Sequence, residues 1–268
     1  MAMDLNSISM NRPEPPRILI YGGEGIGKTT FACNAPAPIV LDIEKGLGIL
    51  TVPKINIDSF SDILEAIQML CDSEHEFKTL VVDSLDVLEV LIKDHVCKAG
   101  GYTTISEPGF GKGYQEVEVE WAKFLTYLDF IHTSRNMVII LVAHNEVVKY
   151  EDPELPAYDM HDLRMHKTPN AMSKDWVDIL GFAAIKTFTR TDSSDKKRNM
   201  AITTKEHLLW LVGKAAFKAK NRYNMPEVVS LDWDSFAIHL PEAMGLAPEE
   251  KEKPAKKRQK KTPENKEE

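Results

Sequence analysis

Eight consecutive residues constrain this chain more than any others. Gly22-Gly23-Glu24-Gly25-Ile26-Gly27-Lys28-Thr29 is a full match to G-x-x-x-x-G-K-T. The apolar run Arg17–Tyr21 before it reads as a strand, and the residues from Lys28 onward read as a helix. Glycines let the backbone curl so that successive N–H groups point at a phosphate chain. The start of the helix adds the positive end of its dipole. In that setting Lys28 bridges the terminal phosphates of a nucleoside triphosphate and the Thr29 hydroxyl ligates Mg2+. The nucleotide-binding candidates are therefore Gly22, Gly23, Glu24, Gly25, Ile26, Gly27, Lys28, Thr29 and Thr30, with ATP and Mg2+ as the expected ligands.

Short apolar runs alternate with helical patterns through the rest of the domain, which predicts an α/β fold with a mainly parallel sheet flanked by helices. Strands are expected at 17–21, 38–41, 79–82 and 137–143, then at 179–187, 200–204 and 228–231, the last three forming a β-rich C-terminal extension. Helices are expected from Lys28, after the cap Ser59, over 85–96 and over 116–132. The five-glycine stretch 100–113 reads as a long loop. Residues 145–174, polar and proline-containing, read as a second one, too long for an ordinary connection. Pro13, Pro15 and Pro16 argue for a flexible leader over 1–15, ahead of a single domain over 16–240. The highly charged residues 241–268, with few apolar side chains to offset ordering entropy, read as a disordered tail.

No apolar run is long enough for a membrane span. The polar N-terminus lacks the apolar stretch of a signal peptide, so the cytosol is the expected compartment. Cys33, Cys71 and Cys97 are too far apart for a CxxC pair and are expected to be reduced, mostly buried small apolar residues. The tryptophans Trp121, Trp176, Trp210 and Trp233 are expected in the core. The net charge of −8 supplies no global attraction to nucleic acid, so any such contact must use a local basic surface.

Triphosphate chemistry needs further groups. An acid is expected at the end of a strand beside the first, and Thr79-Leu80-Val81-Val82-Asp83 supplies Asp83 for the Mg2+ shell. A group that positions or deprotonates water is also needed. The position after Asp83 is Ser84, so the acid must come from elsewhere. The segment Ile39-Val40-Leu41-Asp42-Ile43-Glu44 resembles the RecA family, in which a strand ends in Asp-x-Glu and the Glu activates water. That resemblance implies Glu44 as catalytic base. It also implies that His144, at the end of the strand Met137–Ala143, stands where a polar side chain senses the γ-phosphate. Ala219-Lys220-Asn221-Arg222-Tyr223 is similar to a late basic segment of the RadA branch and of hexameric helicases. There, the counterparts of Lys220 and Arg222 reach a neighbouring subunit's γ-phosphate, which implies a homo-oligomer, ring or filament.

The order of these segments, with YGGEGIGKTTFA, VVDSLDVL and AKNRYNMPEVVSLDW, resembles the phage AAA-type NTP-binding family that includes the RecA-core-only single-strand annealing recombinases of the Sak group. The resemblance implies a phage ATPase in the bacterial host cytosol that binds single-stranded DNA and promotes annealing or recombination, with a single-strand binding protein as partner. By analogy with RecA, DNA contacts would fall in 98–114 (Lys98, Tyr102, Phe110, Lys112, Tyr114) and 145–174 (Lys149, Tyr150, Tyr158, Arg164, His166, Lys167). Lys196-Lys197-Arg198 and the lysine-rich tail are further basic candidates. A metal site at His161 and His166 is disfavoured by their five-residue spacing. A helicase loader or helicase-like replication ATPase, and a nucleotide-switched interaction module, remain the alternatives.

Overall fold

The computed structural model describes residues 14–191, 199–241, 244 and 246. Six strands run parallel: β1 (Arg17–Gly22), β2 (Pro38–Asp42), β3 (Lys54–Asn56), β4 (Thr79–Asp83), β5 (Val138–Tyr150) and β7 (Ile179–Thr191). Four antiparallel strands complete the sheet: β6 (Tyr158–Leu163) on β5, β8 (Asn199–Trp210) and β9 (Lys220–Asn221) on β7, and β10 (Val228–Ser230) on β8. The order along the sheet is β10-β8-β7-β1-β5-β4-β2-β3.

The central strands are apolar on both faces because helices cover both. Leu19, Tyr21, Leu80, Val82, Ile139 and Leu141 face one core, with α2 (Phe60–Asp72), α3 (Leu85–Gly100), α4 (Lys112–Arg135) and α5 (Lys167–Trp176) over it. Ile18, Ile20, Val81, Ile140 and Val142 face the other, under α1 (Lys28–Cys33) and α6 (Trp233–Ala237). Helix α2 starts at a capping box, in which Ser59 and Asp62 exchange side-chain and backbone hydrogen bonds.

Several sequence expectations change. The strand carrying Asp83 is not beside β1: β5 lies between β1 and β4. This puts His144, opposite Gly22 in the β1–β5 register, between the phosphate loop and Asp83. Residues 145–174 are not a long loop. They form the outer half of β5, the hairpin to β6, and α5. Of this two-stranded ribbon only Met160 and Leu163 of β6 are buried, so it has no continuous apolar face and its periodicity is weak in the sequence. Likewise β7 and β8 continue to Thr191 and back from Asn199, while Lys196-Lys197-Arg198 lies outside the described residues.

Buried residues reach toward both ends of the described residues. Pro15 is already buried, its carbonyl accepting from His132 Nε2 at 2.7 Å, and at the other end Leu246 is buried in the second core. Most of the charged tail lies outside the described residues. Cys33, Cys71 and Cys97 are free and half-buried. Trp121 and Trp233 are core residues, whereas Trp176 and Trp210 are only partly covered. Among the described residues no helix is long and apolar enough to cross a membrane.

Candidate nucleotide-binding and hydrolysis site

Parallel strands end together, and their carboxyl ends build one site. Gly22 closes β1 against Ala183 of β7 so tightly that a Cβ there would lie 2.3 Å from the Ala183 carbonyl oxygen. The loop then turns through Gly27 at φ 107°, a left-handed conformation that glycine adopts without strain. His207 of β8 hydrogen-bonds the Ile26 carbonyl through Nδ1 at 2.6 Å and steadies the loop from outside. The N–H groups of the first turn of α1 have no intrahelical partner, so they are free to face an anion. A cleft of about 560 Å3 opens over this loop, bounded by Glu44 and residues 46–50 on one side and by Asp83 and His144 below.

Lys28 is buried, and its Nζ donates to the carbonyls of Gly22 at 3.0 Å and Gly23 at 2.7 Å. Burial pushes its ammonium pKa down, against the pull of Asp83, Glu44, Asp86 and Glu24. Thr29 Oγ1 donates to Asp83 Oδ2 at 2.6 Å. The other carboxylate oxygen, Asp83 Oδ1, is buried without a hydrogen-bond partner among the described residues. Burial pushes the Asp83 carboxyl above the usual range and Glu44 adds to that, while Thr29, Lys28 and His144 oppose it. An orphaned carboxylate oxygen beside a hydroxyl is costly to bury. It is also a hard-oxygen donor set of the kind Mg2+ takes, so Thr29 and Asp83 fit a Mg2+ site.

Glu44 stands just past the end of β2. Its N–H and that of Ile43 donate to the Asp83 carbonyl at 3.1 and 3.0 Å, so the backbone of β4 sets its place. The Asp83–Ser84 peptide is cis. His144 is buried between two acids: Nδ1 lies 3.1 Å from Asp86 Oδ2, and Nε2 lies 3.8 Å from Glu44 Oε1. Asp86 also accepts from Arg164 Nη2 at 2.6 Å, and Arg164 Nη1 reaches Glu24 Oε1 of the phosphate loop at 3.3 Å. One chain of polar contacts thus runs from Glu24 through Arg164, Asp86 and His144 to Glu44.

Asp86 escaped the sequence reading. The available signal was an acid in the first turn of the helix after Asp83, among apolar neighbours, where a buried charge needs a partner. That partner, Arg164, is 78 residues away and was expected to face DNA. Two other expected DNA residues, Tyr114 and His166, stack on each other at 4.6 Å. His161 is hydrogen-bonded to Asn145 at 2.8 Å and stacks on Phe182.

Lys220 and Arg222 are not brought to this site. β9 pairs with the first residues of β7, at the amino end of the sheet. Five residue steps along β1 separate Arg17 from Gly22, roughly 17 Å in a strand. There Arg222 Nη1 pairs with Asp178 Oδ1 at 2.9 Å, and Asp178 also binds Arg17. Lys220 Nζ donates to the Asp175 carbonyl at 3.3 Å; burial, then the charge of Arg222, push its pKa down. The Arg222 side chain remains 56% exposed.

Sheet order, phosphate loop and the Thr29–Asp83 pair together define a P-loop nucleoside-triphosphatase domain. A family model described as an AAA domain matches residues 14–223, more than three quarters of the 268 residues, and the chain belongs to that family. It is also similar to the SPbeta prophage-derived uncharacterized protein YorG of Bacillus subtilis (strain 168), with 24% identity over 173 residues, 59% of this chain and 52% of that one. The chain therefore spans about half the length of the curated relative it matches.

Proposed function

We propose that this protein is a Mg2+-dependent ATPase of phage DNA metabolism that binds single-stranded DNA and promotes annealing or recombination. The observation that carries the ATPase reading is the contact of Thr29 with Asp83, with Glu44 and His144 on the same cleft. The loop N–H groups and Lys28 hold the triphosphate tail. Mg2+, held by Thr29 and Asp83, would neutralise charge on the terminal phosphates. Glu44, open to solvent on one side, orients a water and accepts its proton.

His144 has one ring nitrogen committed to Asp86 as a donor, which leaves Nε2 facing Glu44. An imidazole nitrogen in that place, open to the cleft, is able to donate to a phosphate oxygen. This supports a role in reporting the terminal phosphate.

The DNA part of the reading is supported by the sequence resemblance and by the prophage origin in the name of the relative. The amino-end position and exposure of Arg222 support action of Lys220 and Arg222 on a neighbouring subunit, because their own phosphate loop is out of reach.

Two variants test the ATPase reading. Lys28→Ala is expected to abolish nucleotide binding. Glu44→Gln is expected to keep binding and to lower turnover by about 10²- to 10⁴-fold. Undiminished ATP affinity in the first, or a near-normal rate in the second, removes the corresponding assignment. Anisotropy of a labelled single-stranded oligonucleotide, with and without Mg-ATP and against a duplex control, tests the DNA reading.

A further inference from the structure

Two β-ribbons rise on either side of the phosphate loop. β1 stops at Gly22, opposite His144 of β5 and Ala183 of β7. β5 continues to Tyr150 and returns as β6; β7 continues to Thr191 and returns as β8. Between their bases lies a strap, residues 213–219. Phe217 bridges to His161 of β6, and the Tyr21 hydroxyl grips the strap at Lys218, accepting from its N–H at 3.1 Å and donating to its carbonyl at 2.6 Å.

The strap lies among rings. Phe217 stacks on Phe182 at 4.6 Å and tilts toward Trp210 at 5.8 Å. Lysines sit over the rings at the rim. Lys214 Nζ is 3.9 Å from the centre of the Trp210 ring, and Lys218 Nζ is 5.6 Å from that of Tyr150. Lys214 and Lys218 are exposed, and both aromatic rings are half-exposed. An adjoining cleft of about 450 Å3 is lined by Lys214, Lys218 and Lys220, with Asp175 the acid among them and with Lys174 held by Asp162 at 2.8 Å. In a chain of net charge −8, this is a local reversal of sign.

We propose that this strap and its cleft form the groove for single-stranded DNA. Cations beside partly open ring faces are what an unpaired strand needs, with phosphates on the lysines and bases on the rings. The space is of small-ligand size, suited to single nucleotide units and not to a double helix. Glu151 and Asp152 follow directly on Tyr150, at the end of β5 and not on the strap itself. The Lys214–Glu227 pair at 2.7 Å is half-exposed on both sides, and such pairs are weak enough to exchange for phosphate. Tyr21 immediately precedes Gly22, so one side chain connects the strap to the phosphate loop.

This inference rests on the DNA reading above and extends it. The test uses the full chain, a labelled oligodeoxythymidine, a duplex of equal length, and a salt series. The variants are Lys214→Gln with Lys218→Gln, and separately Trp210→Phe. The grip of Tyr21 on Lys218 is through the backbone and survives the lysine change, and DNA-free ATP turnover reports folding. Wild-type is expected to prefer the single strand. The double variant is expected to bind at least about tenfold more weakly, with a salt slope lower by about 1.4, the share of two phosphates on a single strand. Intrinsic fluorescence quenched by oligodeoxythymidine in wild-type is expected to be largely lost in Trp210→Phe. Unchanged affinity, slope and quenching in the variants of a wild-type that binds would overturn the groove and leave the DNA reading standing. Equal affinity of wild-type for the duplex would overturn the single-strand assignment, and no binding to either DNA would overturn both readings.

Discussion

The imidazole of His144 lies 3.8 Å from the carboxylate of Glu44, held there from behind by Asp86. Glu44 thus has a backbone anchor on the Asp83 carbonyl and a ring against its side chain. Neither contact is between neighbours in sequence.

Asp86 is expected to act through His144. Burial alone would push its carboxyl up, but the hydrogen bonds from His144 and Arg164 outweigh this and hold it well below the usual carboxylate range. An acid whose folded pKa is depressed contributes stability that is present above its unfolded pKa, about 3.9, and is lost as pH falls through the folded value. Asp86→Asn is therefore expected to be destabilised at neutral pH by up to about 3 kcal/mol. The gap to wild-type should narrow below about pH 4. Turnover should fall while ATP affinity holds. Denaturant titrations across pH and a split of kcat from KM check both parts.

Asp83 predicts the opposite sign. Its carboxyl is raised by burial, so its charged form destabilises the nucleotide-free protein above the folded pKa, and the penalty disappears below the unfolded one. Asp83→Asn is expected to stabilise the protein by about 1 kcal/mol at neutral pH, a gain that shrinks on acidification, while Mg-ATP binding is lost. Thermal melts with and without Mg-ATP measure both. A variant that melts lower than wild-type would remove the argument from the orphaned oxygen.

Lys220→Ala is expected to lower hydrolysis without weakening ATP binding. Mixed with Lys28→Ala subunits, which keep Lys220 and Arg222, it should recover part of the activity. Titrating one variant into the other and reading the rate decides the matter, since a basic pair acting within its own subunit gives no recovery.

The reach of the sequence follows from the range of the interactions involved. The phosphate loop was legible because its geometry is local: Gly22, Gly27, Lys28 and Thr29 lie within eight residues, and the strand before them is a continuous apolar run. The central strands were legible for the same reason, since burial on both faces leaves an unbroken apolar signature. The outer half of β5, with β6, was not, and β7 was legible only as far as Thr187, because ribbons with few buried residues alternate too weakly. Strand order is a property of packing, and only the fold showed β5 inserted between β1 and β4, which carries His144 to Glu44. The same holds for Arg164, which lies on Asp86 and Glu24 because the turn after β6 comes back over the loop. Residue types and local turns determined which groups this chain can offer to a triphosphate. Tertiary structure alone decided which of them meet, because a buried charge takes its partner from whatever packing brings within 3 Å, at any separation along the chain.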